Sequence, residues 1–209
     1  MEFVTLETNI QVEIVEKKSK FIANLIKVES IEEAEEAIKE IRKRYHDARH
    51  NCIAYRIIEN NQIIEKSSDD GEPSGTAGAP MLNILQKNNL ANVVVIVTRY
   101  FGGILLGTGG LVRAYSDSLL KAIENSTKIE KYEGLELLVI LDYNEFDNFK
   151  YYCKNNNIFI ANVEYMQNIE CIVNIEKDKK EQLLRDFETK KIILRDVKEI
   201  AKKYITKSK

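Results

Sequence analysis

The glycine residues of this chain are concentrated in one window. Of the 9 glycines, eight lie between Gly71 and Gly110, and both prolines, Pro73 and Pro80, lie in the same window. Glycine adopts positive φ angles and lets another backbone or a ligand approach closely, so this window must hold the unusual backbone shapes of the fold. Tight turns at a sheet edge would explain either glycine cluster alone. Two clusters on either side of one apolar strand favour a functional centre.

Composition excludes several classes of protein. The 209 residues are 44% hydrophobic and 31% charged, which is typical of a folded globular chain rather than a disordered or collagen-like one. The formal net charge is -2, so any binding of nucleic acid would need a local basic patch. The three cysteines lack the spacing of metal ligands and predict reduced thiols. Without a signal-peptide pattern or a long apolar run, we expect a cytoplasmic protein that does not enter membranes.

Hydrophobic patterning predicts an α+β chain whose first domain covers residues 1–130. Alternation of apolar and polar residues over 10–16 indicates a half-buried strand, and Ser30 begins a helix with a capping box. Pro80 is well placed to open a short helix over 81–87. The β-branched run at 92–101, NVVVIVTRYF, predicts a strand buried on both faces. It leads through the second glycine cluster into an apolar helix over 111–124.

The second domain is predicted to cover residues 131–209, after a polar linker at 125–134. Its elements follow the order βαββαβ, which is that of a ferredoxin-like split βαβ module. They are expected at 135–141 (strand), 144–155 (helix), 158–166 and 170–175 (strands), 178–190 (helix) and near 192–194 (short strand).

The second glycine cluster, GGILLGTGG at 102–110, matches neither strict nucleotide-binding motif. It lacks Gly-Lys-Ser/Thr, and the sixth position of a dinucleotide fingerprint is Val112. Gly109 and Gly110 before a helix still leave its first N–H groups free to bind an anion. With Arg99 and Arg113 nearby, the loop would hold a phosphate. Alternatively, the two arginines pair with the acids of the first glycine cluster.

The first cluster, SDDGEPSGTAGAP at 68–80, contains the carboxylates of Asp69, Asp70 and Glu72. Such a cluster of hard oxygen ligands can hold Mg²⁺. In the alternative, the Asp side chains cap backbone N–H groups within a turn. His50 is one of 2 histidines and is either an acid–base group or a hydrogen-bonded structural residue.

Four sequence blocks together resemble the YigZ/IMPACT family. They are KKSKFIA (17–23), ARHNCIAY (48–55), SDDGEPSGTAGAP (68–80) and TRYFGGILLGTGGLVRAY (98–115). The resemblance is to the bacterial, two-domain YigZ type without the RWD domain, so the kinase-regulatory role of eukaryotic IMPACT is not carried over. It implies a first domain that is a βαβ sandwich similar to elongation factor G domain IV. The ferredoxin-like second domain would be similar to domain V of that factor.

The leading hypothesis is a non-enzymatic, translation-associated protein that binds structured RNA or the ribosome. Contact would be made through the glycine-rich face, the surface formed by the two clusters at 68–80 and 102–110. We expect Lys20, Arg99 and Arg113 to contact phosphates. Tyr100 and Phe101 would stack on bases, and the backbone N–H groups around Gly109 and Gly110 would hold a phosphate. His50, Ser74, Gly102 and Gly103 complete the expected ligand-binding set.

Two alternatives remain open. One is a Mg²⁺-dependent enzyme acting on a small phosphorylated or nucleotide ligand, with Asp69, Asp70 and Glu72 at the metal and His50 as acid or base. The other is a regulatory module that docks a protein partner on the glycine-rich face. The sequence shows no evident catalytic constellation, which favours a protein that is not an enzyme. No cofactor is expected, with Mg²⁺ at the carboxylates as the one alternative. The sequence predicts no oligomeric state.

Overall fold

The computed structural model describes residues 2–60 and 62–206. They form two compact units, one of residues 3–129 and one beginning at Glu130. Both units combine helices with antiparallel strands, so the predicted α+β class is confirmed. The elements of the first domain are β1 (Phe3–Leu6), β2 (Ile10–Glu16), β3 (Ser19–Lys27), α1 (Ile31–Arg44), β4 (His50–Glu59), β5 (Gln62–Ser68), α2 (Gly78–Lys87), β6 (Val93–Tyr100) and α3 (Gly107–Glu124).

An antiparallel sheet in the order β2-β3-β6-β4-β5 forms the middle layer of the first domain. Strand β6 is central, and its alternate side chains enter two different cores. Val95 and Val97 pack with α2 and α3 on one face. Val94 and Ile96 pack with α1 on the other face. The prediction of a strand buried on both faces is therefore confirmed.

Two helices of the first domain begin earlier than the sequence predicts. Helix α2 begins at Gly78 rather than at 81, because the Asp69 carboxylate accepts the N–H groups of Ala77 (2.9 Å) and Gly78 (2.8 Å). This cap comes from residues distant in sequence, so no local pattern shows it. Helix α3 begins at Gly107 rather than at 111, and its first turn therefore contains the glycines that were expected to precede it.

The second domain has the ferredoxin-like arrangement. Its strands lie in the order β10-β7-β9-β8, with α4 and α5 as the connecting helices, as the βαββαβ order predicts. None of the helices in the described ranges is long and apolar enough to cross a bilayer. The elements are β7 (Lys128–Leu141), α4 (Phe146–Asn155), β8 (Phe159–Tyr165), β9 (Ile169–Glu176), α5 (Lys180–Glu188) and β10 (Asp196–Thr206).

Two predictions about the second domain are wrong. Its last strand is β10, not the segment near 192–194, whose Ile192 and Leu194 are buried in the core without forming a strand. A polar linker was expected at 125–134, but β7 begins at Lys128 and runs unbroken through Gly134. A Cβ atom on Gly134 would lie 2.7 Å from Cδ1 of Ile205, so this glycine permits close packing within the sheet.

Candidate functional site

The glycine-rich face lies where β3 and β4 begin and β6 ends. In the sheet register, Arg99 is opposite both Phe21 and His50, while Tyr100 is opposite Lys20. Consecutive side chains of a strand point to opposite faces. Arg99 therefore lies on the α2–α3 face, whereas Lys20 and Tyr100 lie on the α1 face. The structure thus divides the predicted site residues between two faces of one sheet.

Arg99 is held in a buried ion pair. Its Nη1 donates to Oε1 of Glu72 at 2.7 Å, and the Tyr115 hydroxyl donates to the same oxygen at 2.9 Å. Arg99 is 7% exposed and Glu72 is 8% exposed. Burial raises the pKa of Tyr115, and the nearby Cys52 and Glu72 raise it further, so its hydroxyl stays protonated and donating. The pairing alternative is therefore the one observed for Arg99, which is not positioned as a solvent-facing phosphate contact.

Asp69 caps the turn that leads into α2. Its two carboxylate oxygens accept the N–H groups of Gly75 (2.7 Å), Ala77 (2.9 Å) and Gly78 (2.8 Å). Burial alone would raise the pKa of Asp69, but these N–H groups outweigh it and lower the pKa below 3.8. Both oxygens are therefore engaged by backbone.

Asp70 and His50 connect this turn to the end of the sheet. The Asp70 carboxylate accepts the Asn51 N–H at 2.7 Å and pairs with Arg42 at 3.0 Å. The Asp70 carbonyl lies 2.9 Å from Nδ1 of His50, as expected for a structural histidine. Glu72 has a third set of partners, so the three carboxylates do not converge as the metal hypothesis requires. Across the described ranges, no group of three or more His, Cys, Asp or Glu residues is placed to hold a metal ion.

The loop between β6 and α3 is exposed, yet its first residues are fixed. A Cβ atom on Gly102 would lie 1.9 Å from the Lys18 carbonyl carbon, so only glycine allows these two backbones to touch. The Gly102 N–H also donates to Oγ of Ser19 at 3.2 Å. Phe101 is 50% exposed, with the buried Arg99 guanidinium 5.7 Å from its ring centroid. The Phe101 ring is therefore exposed beside a backbone segment that the Gly102 contacts hold in place. Gly103, the next residue of the loop after Gly102, is exposed.

The N-terminus of α3 lies at the end of this loop. No side chain caps it, and its first turn, which includes Gly109 and Gly110, contains no acidic residue. Gly110 lines a cleft of about 100 Å³ with the bases Lys17 and Arg113 and with two acids, Glu16 and Asp117. Arg113 is exposed and forms no ion pair with any residue that the structure describes. Arg113 is therefore available to a ligand, whereas Lys20, another of the predicted phosphate contacts, pairs with Glu13 at 3.7 Å.

Tyr100 is attached to the opposite face of the sheet. Its hydroxyl donates to Oδ1 of Asp47 at 2.8 Å, and Nζ of Lys20 lies 5.2 Å from its ring centroid. Burial, with this hydrogen bond to Asp47, raises the pKa of Tyr100 to about 12. Tyr100 therefore does not extend the surface that Phe101 presents. Ser74 is exposed on the first glycine cluster.

One charged surface was overlooked in the sequence analysis. Residues 42–49, which we call the basic turn, contain five basic side chains and one acid, and all six are exposed. The letters RKRYHDAR would have revealed it, had the segment been considered apart from the acidic helix before it. The exposed side chains are Arg42, Lys43, Arg44, His46, Asp47 and Arg49.

Comparisons with known proteins match both domains. Residues 17–123 match the Impact N-terminal domain, and residues 139–188 match a domain of unknown function, DUF1949. The IMPACT family member YvyE of Bacillus subtilis is 40% identical over 79% of this chain and 76% of its own length. YigZ of Escherichia coli is 38% identical over 62% of this chain and 64% of its own length. A crystal structure described as that of a hypothetical protein has a TM-score of 0.64 at 29% identity, covering 96% of this chain and 98% of its own.

Proposed function

Because the chain belongs to the IMPACT family, we propose that it is a non-enzymatic, translation-associated protein of the cytoplasm that binds structured RNA or the ribosome through its glycine-rich face. The observation that carries this proposal is the loop from Phe101 to the start of α3. Together, this loop and the first two turns of α3 present an exposed aromatic ring, an uncapped helix N-terminus and the unpaired base Arg113. Aromatic stacking, N–H groups and arginine are the means by which proteins hold unpaired bases and phosphates.

We propose different roles for the residues of this face. Arg113 and the first N–H groups of α3 would contact phosphate, and Phe101 would stack on a base. Arg99 would act as a positioning residue, because its buried guanidinium lies beneath Phe101 and pairs with Glu72. Support from the fold is by analogy, since the ferredoxin-like second domain has the arrangement expected of elongation factor G domain V.

The proposal is tested by co-sedimentation with purified bacterial ribosomes at low and moderate salt. The informative variant is Phe101→Ala with Arg113→Ala, which removes the exposed ring and the unpaired base while Arg99 and Glu72 are both kept. The matched control is Tyr151→Ala with Lys154→Ala, which removes one exposed aromatic and one exposed base from α4 of the second domain. We expect salt-sensitive binding that the first variant loses and the control retains. No binding by the unaltered protein, or equal binding by both variants, would reject the glycine-rich face as a ribosome site.

A docked protein is the second candidate, and one observation favours it. Leu105 is 83% exposed and Ile104 is 42% exposed beside Phe101, so the loop presents three apolar side chains together. Apolar residues at the centre of a contact are typical of protein interfaces. Binding to intact ribosomes but not to deproteinised ribosomal RNA would support this candidate over direct RNA recognition.

A further inference from the structure

The basic turn carries more positive charge than its local contacts neutralise. Arg42 pairs with Asp70 at 3.0 Å, so its charge has a partner. Lys43, Arg44 and Arg49 are exposed and form no ion pair with any residue in the described ranges. The one acid of the turn, Asp47, accepts a hydrogen bond from Tyr100, which lowers the pKa of its carboxyl group. Three cations without an ion pair therefore fall within the eight residues of the basic turn.

The position of these cations at a helix end does not account for all of them. Bases in the last turn of a helix interact favourably with its dipole, and Arg42, Lys43 and Arg44 occupy the last turn of α1. That effect falls off within one turn. Arg49 lies five residues beyond Arg44, directly before β4, and gains nothing from it. The turn is thus more basic than the stability of α1 requires.

The basic turn is joined to the glycine-rich side of the domain at two points. At one, Arg42 contacts Asp70, the residue whose carbonyl also meets His50. At the other, Asp47 accepts the hydroxyl of Tyr100, the residue that ends β6 immediately before Phe101. Lys20 lies over the ring of Tyr100 on the same edge, but its charge already has a partner in Glu13 at 3.7 Å, so it adds little to the positive surface. A ligand on the glycine-rich face can therefore continue around the end of the sheet onto the basic turn.

We infer that the basic turn is a second phosphate-binding surface, which holds the backbone of the same structured RNA on the α1 side of the sheet. This inference rests on the proposed function and adds to it the residues that would supply the electrostatic part of binding. RNA backbone fits better than a protein partner, because the turn offers charge without an apolar centre. Its two uncharged residues, Tyr45 and Ala48, are half-buried. Exposed arginines with free guanidinium groups suit phosphate oxygens.

The test compares two double variants that remove the same charge. Arg44→Ala with Arg49→Ala alters the basic turn. Lys87→Ala with Lys154→Ala removes two bases from the last turns of α2 and α4, neither of which is in the basic turn. Binding to intact bacterial ribosomes and to deproteinised ribosomal RNA is measured between low and moderate salt. Circular dichroism verifies that each variant is folded, and Arg44→Lys with Arg49→Lys, which keeps the charge, is expected to retain most of the binding.

We expect the slope of log affinity against log salt on both probes to become shallower by about 1.5 in the basic-turn variant, since each lost phosphate contact removes roughly 0.7–0.9. The control should keep the original slope.

An unchanged slope in the basic-turn variant, while Phe101→Ala with Arg113→Ala abolishes binding, would overturn this inference and leave the proposed function standing. Loss on intact ribosomes but not on ribosomal RNA would overturn the choice of RNA in favour of a ribosomal protein. A failure of the unaltered protein to bind either probe would reject the proposed function, and the inference would fall with it.

Discussion

Substitution of Arg99 by methionine is expected to destabilise the first domain far more than the loss of an exposed arginine. The Glu72 side chain is 3% exposed, and its carboxylate lies 2.7 Å from Nη1 of Arg99. The Arg99→Met variant removes this cation and leaves the carboxylate with only the hydrogen bond from the Tyr115 hydroxyl. Removing one partner of a buried ion pair leaves an uncompensated charge and costs about 3–5 kcal/mol. The double variant Arg99→Met with Glu72→Gln removes both charges. Its cost should therefore be about 2 kcal/mol or more below the sum of the two single costs.

The free energy of unfolding is measured by urea titration, with hydrogen exchange and mass spectrometry as the probe at each urea concentration. Peptides from β6 and α3 then assign the transition to the first domain. The matched control is Arg42→Ala, which breaks the pair with Asp70 in the same region. Its side chain is 46% exposed, and exposed pairs contribute about 1 kcal/mol or less. If Arg99→Met were as mild as Arg42→Ala, or if the costs of the two single substitutions were additive, the buried pair would not be structural. Arg99 would then be available as a ligand contact.

Three further predictions concern the same region. Gly102→Ala should lower the melting temperature of the first domain, because the added Cβ would overlap the backbone of Lys18. Gly109→Ala should raise the melting temperature slightly, because its Cβ meets nothing within 4 Å and alanine favours helix. Equal effects of the two substitutions would contradict the contact of Gly102 with Lys18. Since the pKa of Asp69 is lowered on folding, its stabilising effect is complete above pH 3.8 and is lost as the pH falls through the lower folded value. An Asp69→Asn variant should therefore be less stable at neutral pH and show a flatter acid unfolding curve, and an unchanged curve would exclude the cap. Burial raises the pKa of Cys52 to about 12, so iodoacetamide at pH 8 should modify it only after denaturation; rapid modification of the folded protein would refute its burial.

Patterns within single elements predicted much of the fold. The alternation over β2 and the β-branched run of β6 identified these strands, because each reports which faces are buried. The order of elements in the second domain was enough to identify its ferredoxin-like topology. The last strand was missed because β10 is an edge strand with mostly exposed side chains, so its period is weak. The buried pair Ile192 and Leu194 gave a stronger apolar signal just before it.

The candidate site was predicted in composition but not in geometry. Glycine density located a region of close backbone approach, because the contact of Gly102 with Lys18 requires glycine. The partners of the three carboxylates could not be predicted, since they come from other elements: Arg99 from β6, Arg42 from α1 and Asn51 from β4. The division of Arg99 and Tyr100 between two faces follows from strand alternation and was available from the sequence. Assigning the neighbouring residues to one surface concealed it.

Ultraviolet cross-linking of the protein bound to bacterial ribosomes shows directly whether the glycine-rich face contacts RNA. Mass spectrometry of the digested complex identifies the peptides that carry a nucleotide. We expect nucleotide adducts on the peptide that contains Phe101 and on the peptides of the basic turn at 42–49. Adducts confined to the second domain, or cross-links to ribosomal proteins without any nucleotide adduct, would contradict recognition of RNA by the glycine-rich face.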